Sequence, residues 1–168
     1  MWARADAHTQ RAHGFSLVQV VRDNPKALTV KGEAVRHPEG VLHVTQFTQV
    51  ALTVLAVAGV AELREAGALP TDALFCGHSV GEYSALSAMT EVLPLEALID
   101  VVYHRGLTMQ HFVPRDAEGR SDFGMGVIRP HLAGLDAEQA LALVQAVRQE
   151  ADAPLYVVNH NVRGLHQR

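Results

Sequence analysis

Apolar positions along the chain fall either at helical spacing or in short unbroken runs. Residues 2–23 carry a helical pattern that Gly14 interrupts and Pro25 ends, which predicts two short helices. Between 27 and 44, Leu28-Thr29-Val30 and Val41-Leu42-His43-Val44 flank a polar centre with turn residues, which predicts a hairpin or two short strands. Residues 45–66 predict a long helix. Its middle, Val50 to Ala61, is apolar on nearly every side, so burial on more than one face is expected. Gly67 and Pro70 mark its end. Ala73-Leu74-Phe75-Cys76, bounded by turn residues, predicts a buried parallel strand. A helical pattern resumes over 80–89. Pro94 at a first helical position then opens a helix over 94–112, with Leu95, Leu98, Val101, Val102 and Leu107 inward. A polar loop, 114–122, separates this part from a strand at 123–129, a helix at 136–150 and a strand at 155–158. Strands alternating with helices predict an α/β fold, with a boundary between subdomains in the 114–122 loop.

Composition narrows the function classes. The chain has 168 residues, 48% hydrophobic and 19% charged, with net charge −4. One domain with a proper core is expected, rather than a disordered chain. Only Lys26 and Lys31 are lysines and the arginines are scattered, so neither a nucleic-acid footprint nor a polybasic membrane patch is expected. The N-terminus lacks the basic-then-apolar order of a signal peptide, and the longest apolar run is short for a bilayer. A cytoplasmic protein is the expectation. Cys76 is the one cysteine, so no internal disulfide can form. Among apolar neighbours at a strand end, it is expected to be buried and inert. Ten histidines are present, but none shows a ligand spacing such as i, i+4 on one helix, so no metal site is expected.

Gly77-His78-Ser79-Val80-Gly81 is the strongest chemical signal. It follows an apolar run and opens a helix, the setting of a nucleophile elbow. A serine on such a turn is held strained with its Oγ exposed. Small residues at 77 and 81 let the turn close, and the Val80 N–H at the helix start suits a developing oxyanion. Ser79 and Glu82 also match a capping box, a role compatible with catalysis. His78 adjoins the serine but points elsewhere on a strand, so a packed histidine shaping the turn is expected rather than a base. Arg115 and Arg120 lack a glycine-rich phosphate cradle and read as a solvated loop.

Gly77 to Leu86, with Phe47-Thr48-Gln49-Val50-Ala51-Leu52 and His104-Arg105-Gly106-Leu107-Thr108-Met109-Gln110, resembles the malonyl-CoA:acyl carrier protein transacylase family. Arg22-Asp23-Asn24-Pro25, Gly40 to Gln49 and Val113-Pro114-Arg115-Asp116 are similar to the malonyl/palmitoyl transferase region of type I fatty acid synthases of the actinobacterial and fungal kind. The resemblance implies an acyltransferase fold. Residues 1–120 would form part of an α/β-hydrolase-like core, and 121–168 the incomplete start of a ferredoxin-like small subdomain. Ser79 would be the catalytic nucleophile, the Val80 N–H the oxyanion donor, and Gly77, His78 and Gly81 the elbow. Arg105 and Gln49 would bind substrate, with Gln46 a weaker candidate. Malonyl-CoA and the phosphopantetheine of an acyl carrier protein would be the substrates, with no covalently bound cofactor. The partners would be coenzyme A thioesters, acyl carrier protein and the rest of a fatty acid synthase.

Two parts of that family's machinery find no match: the aromatic-His-Ser segment with the general base, and the Gly-Gln-Gly loop before the first helix. His160, in Asn159-His160-Asn161, resembles the small subdomain's second strand instead. A serine without its base is a weak nucleophile at neutral pH. The expectation is therefore a partial transferase, weakly active or inactive alone. A non-catalytic fragment and a serine hydrolase or esterase are the alternatives.

Overall fold

The computed structural model describes residues 1–90, 92–118, 120–152 and 154–160. They divide into two units, one ending at Phe123 and one beginning at Gly124.

The first unit opens with helix α1, Trp2–His8, which runs into a π turn, Thr9–His13. Gly14 closes that turn at φ 80. Helix α2, Leu17–Asp23, starts at Ser16, whose Oγ accepts the Gln19 N–H at 3.1 Å. Asp6 fixes the joint between them. Its Oδ1 accepts the Ser16 hydroxyl (2.7 Å) and the Val18 N–H (2.9 Å), and its Oδ2 accepts Gln10 Nε2 (2.6 Å). Burial alone would raise the Asp6 pKa; the hydrogen bonds outweigh it and hold the carboxyl below its ordinary value.

Asn24 ends α2 in the left-handed region, φ 40. Its side chain donates to the Glu39 carbonyl (3.0 Å) and accepts the Leu42 N–H (2.9 Å). Gly40, at φ 103, has to be glycine: a Cβ there would lie 2.2 Å from Asn24 Oδ1. Strands β1, Ala27–Val30, and β2, Glu33–Arg36, pair antiparallel around Lys31-Gly32. Both turn residues have positive φ, 50 and 88, as a two-residue type I′ hairpin requires. The second strand thus lies at 33–36, not at the more apolar 41–44. Val41–His43 forms a 3₁₀ turn instead.

Helix α3, Thr45–Glu65, is the central element. Gln110 Oε1 accepts both the N–H (3.4 Å) and the hydroxyl (3.1 Å) of Thr45 at its start. Helix α4 spans Val80–Thr90 and α5 spans Leu95–His111, with Pro94 standing one place before the first helical position. The core gathers Ala5, Phe15, Leu17, Val20, Val50, Val54 and Phe47 with Leu98, Ile99 and Val102. Burying ten such side chains is the main favourable term for this unit. By length and composition α3 could cross a bilayer, yet Phe47, Val50, Thr53 and Val54 pack into this core. It is not buried all round, because Leu52 and Leu55 stay exposed. On α5, Leu95, Leu98 and Val102 are buried as expected, but Val101 is exposed.

The second unit holds a 3₁₀ turn, Pro130–Ala133, and helix α6, Ala137–Ala151. A capping box opens α6: Asp136 Oδ1 accepts the Gln139 N–H (2.8 Å) and Gln139 Oε1 accepts the Asp136 N–H (2.9 Å).

Helix and strand are both present, as an α/β fold requires, but the parallel strand expected at 73–76 and the strands expected at 123–129 and 155–158 are not formed. Among the described residues the sheet is the β1–β2 hairpin. A buried strand needs hydrogen-bonded neighbours on both sides, and no described segment pairs with any of the three. Leu74 is 97% exposed in consequence. Cys76 is likewise exposed, not buried.

Candidate active site

Residues 73–79 lead irregularly into α4, and the turn at 77–82 is tight. The Gly81 N–H donates to the His78 carbonyl (2.9 Å) and the Glu82 N–H to the Ser79 carbonyl (3.2 Å). Ser79 sits at φ 57, a left-handed conformation that costs a non-glycine residue roughly 1 kcal/mol or more. Gly77 makes the bend possible: a Cβ there would lie 2.1 Å from the Gly81 carbonyl. Gly81 itself faces open space, so the steric demand falls on the first glycine of the motif. Val80 is the first residue of α4, where a backbone N–H has no acceptor within its own helix. His78 is exposed rather than packed.

Arg105, half buried on α5, reaches the serine. Its Nη2 donates to Ser79 Oγ at 2.9 Å and its Nη1 to Gln49 Oε1 at 2.5 Å. The guanidinium also lies 5.8 Å from the centre of the Tyr83 ring, a cation–π arrangement. Buried Gln49 is oriented in turn by donating from Nε2 to Met109 Sδ (3.3 Å). Three segments therefore converge: the elbow, one face of α3 and one face of α5. Gly106 sets the distance between the helices. A Cβ on it would lie 2.4 Å from Gln46 Cα, so the α3 and α5 backbones touch one turn from Gln49. Gln46 is buried beside this crossing, its Oε1 without a partner among the described residues, and it does not join the Ser79 group.

Tyr83, Met109 and Gly106 were not evident from the sequence. Gly106 carried a readable signal, being a glycine inside an apolar helix, where it costs about 1 kcal/mol unless close packing requires it. Arg115 and Arg120 are exposed, and Arg120 pairs with Asp116 (2.9 Å) and Glu118 (3.2 Å). His160 belongs to the second unit.

What the convergence can do follows from its parts. It offers an exposed hydroxyl on a strained turn, a helix-start N–H beside it, and a permanent cation with a planar donor array within hydrogen-bond distance. Such a set suits attack on an acyl group that carries a nearby negative charge.

Comparison with known proteins gives the same direction. The model of an acyl transferase domain matches residues 1–162. The chain is 36% identical to the fatty acid synthase beta subunit stcK of Emericella nidulans and 36% identical to the fatty acid synthase subunit beta of Schizosaccharomyces pombe, each over 96% of its length. It is 35% identical to the Saccharomyces cerevisiae subunit beta, also over 96% of its length. The chain spans about 10% of the length of each of these relatives.

Proposed function

Since the chain belongs to the acyl transferase domain family, we propose that it moves malonyl groups between coenzyme A and acyl carrier protein through an acyl-serine on Ser79. The observation that carries this reading is Arg105 Nη2 at 2.9 Å from Ser79 Oγ. A hydrolase acting on neutral esters has no use for a half-buried cation against its nucleophile, whereas a malonyl carboxylate needs one.

In the proposed reaction Ser79 Oγ attacks the thioester carbonyl carbon. The carbonyl oxygen takes up negative charge, which the Val80 N–H meets. The C–S bond then breaks and coenzyme A leaves as its thiol, taking the proton lost from Oγ. Attack by the phosphopantetheine thiol of an acyl carrier protein reverses these steps and frees the serine. Arg105 holds the malonyl carboxylate, and Gln49 holds Arg105. The guanidinium stays protonated, so the base that accepts the Oγ proton has to be another group. Palmitoyl transfer by the same serine, assembly with the rest of a fatty acid synthase and a cytoplasmic setting belong to this proposal.

Incubation of the folded chain with malonyl-CoA, followed by intact-mass measurement, tests it. One malonyl group per chain, absent in Ser79→Ala and slowed in Arg105→Ala, is the expected result. An adduct that survives Ser79→Ala would refute it, and a folded wild-type chain that acquires no adduct would support the non-catalytic fragment instead. Ester turnover indifferent to Arg105→Ala would support a hydrolase instead.

A further inference from the structure

Outside the serine site, two clusters among the described residues have the chemistry of a ligand set, and His8, His13 and Asp100 form the more buried one. His8 Nε2 and His13 Nε2 each lie 2.7 Å from the same oxygen, Asp100 Oδ1. All three donor atoms fall within 4.8 Å of one another. We propose that His8, His13 and Asp100 form a binding site for a divalent cation of the zinc class, which clamps the α1 end to α5.

The local backbone explains why the site escapes a search by spacing. Residues five apart on an α-helix point about 140° away from each other. Thr9–His13 is a π turn, in which hydrogen bonds run from i to i+5. Its wider turn brings His8 and His13 to one side, facing Asp100 across the junction.

The surroundings hold both rings for ligation. His8 is 8% and His13 4% exposed. The His13 ring packs against Tyr103 with centroids 4.1 Å apart and against His8 at 5.8 Å. His8 Nδ1 is buried without a partner. Ligation through Nε2 moves the ring proton to Nδ1, and a bond to the metal replaces the hydrogen bond between His8 Nε2 and Asp100 Oδ1.

Two imidazole nitrogens and one carboxylate oxygen favour zinc over magnesium or calcium, which prefer all-oxygen sets. Around a tetrahedral ion with bonds near 2.0–2.1 Å, donors sit roughly 3.3 Å apart. The two nitrogen–oxygen pairs, now at 2.7 Å, must therefore spread by about half an ångström. The Asp100 side chain, 43% exposed, has room to do so and gives the ion a path from solvent. A water would fill the fourth position.

Zinc titrated into the full chain tests the site, with cobalt(II) as a spectroscopic substitute. One equivalent should bind and be removed by EDTA. Tm should rise by about 5–10 °C at a hundredfold excess over Kd. Cobalt should give the visible bands of a four-coordinate nitrogen–oxygen site. His13→Gln and Asp100→Asn should each weaken binding at least about tenfold, while His43→Gln, in the more exposed His37–Glu39–His43 group, leaves it unchanged. Absence of saturable one-to-one binding in wild type would overturn the proposal, whatever the variants do. So would binding that survives Asp100→Asn and is lost in His43→Gln.

Discussion

Replacing Gly106 by alanine pits two effects of known size against each other. In an open helix interior, Gly→Ala stabilises by about 0.8–1 kcal/mol through propensity. At Gly106 the added Cβ would lie 2.4 Å from Gln46 Cα and 2.8 Å from Gln46 N. Both are backbone atoms of a long helix, so neither can rotate aside. Restoring an ordinary contact near 3.4 Å requires α5 and α3 to part by about 1 Å over their crossing. Overpacking of this kind costs typically 1–3 kcal/mol, and backbone against backbone belongs at the upper end. The net expectation for Gly106→Ala is a loss of about 1–2 kcal/mol, or a Tm lower by roughly 2–8 °C for a chain of this size. Gly59, in the middle of α3, supplies the control. A Cβ there meets nothing within 4 Å, so Gly59→Ala should raise Tm by about 2–4 °C. Thermal or urea unfolding followed by circular dichroism reads both variants. A Gly106→Ala chain as stable as wild type, or one that gains as Gly59→Ala does, refutes the close crossing that places Arg105 beside Gln49.

Three further outcomes are expected. Cys76 is exposed, so one thiol should react with Ellman's reagent in the native chain without denaturant; reaction only after unfolding would contradict the irregular 73–79 segment. Arg105→Lys keeps the charge but loses the planar array that reaches Ser79 and Gln49 together, and should slow malonyl-adduct formation about 10–100-fold, as measured by timed intact-mass sampling; an unchanged rate opposes a bidentate role. Glu96 is pulled down from 4.5 to about 2, chiefly by its hydrogen bonds from Arg4 and despite some burial; a carboxylate depressed in the folded state contributes stability that is present above its unfolded value and lost as pH falls toward the folded one. Tm should therefore drop between about pH 4.5 and 2, and drop less in Glu96→Gln.

The helices were legible because each carries its own evidence. The 3.6-residue apolar rhythm and the breaks at Gly14, Pro25, Gly67 and Pro94 are local facts, and α1 to α6 lie close to where they point. The strands were not legible in the same way. Leu74-Phe75 and Val157-Val158 have strand-forming composition, but a strand exists only where another supplies hydrogen bonds, and no described segment does so for them. The hairpin shows the reverse error. Glu33–Arg36 is too polar to attract notice, yet the two-residue Lys31-Gly32 turn dictates its pairing. For the site, the serine turn could be read from its glycines, whereas Arg105 and Gln49 came only with the family likeness. The meeting of His8 and His13 was invisible, because π turns leave no periodic trace in a sequence.

The resting geometry also bears on how the proposed site would choose its substrate. Arg105 spends one donor on Gln49 and one on the hydroxyl that must attack. A hydroxyl hydrogen-bonded to a cation is a poorer nucleophile, because its lone pair is engaged. A carboxylate competes for that donor as a charged acceptor, and a full negative charge against the guanidinium adds a Coulombic attraction that the neutral hydroxyl lacks. An arriving malonyl group would therefore take the guanidinium away from Oγ as it binds, and its recognition would release the nucleophile in the same event. A short acyl thioester without a carboxylate would leave Ser79 tied. Adduct formation from malonyl-CoA should accordingly exceed that from acetyl-CoA in wild type, and the two should converge in Arg105→Ala, where the malonyl rate falls and the acetyl rate rises. A fall in both rates by the same factor would show instead that Arg105 merely holds the elbow in shape.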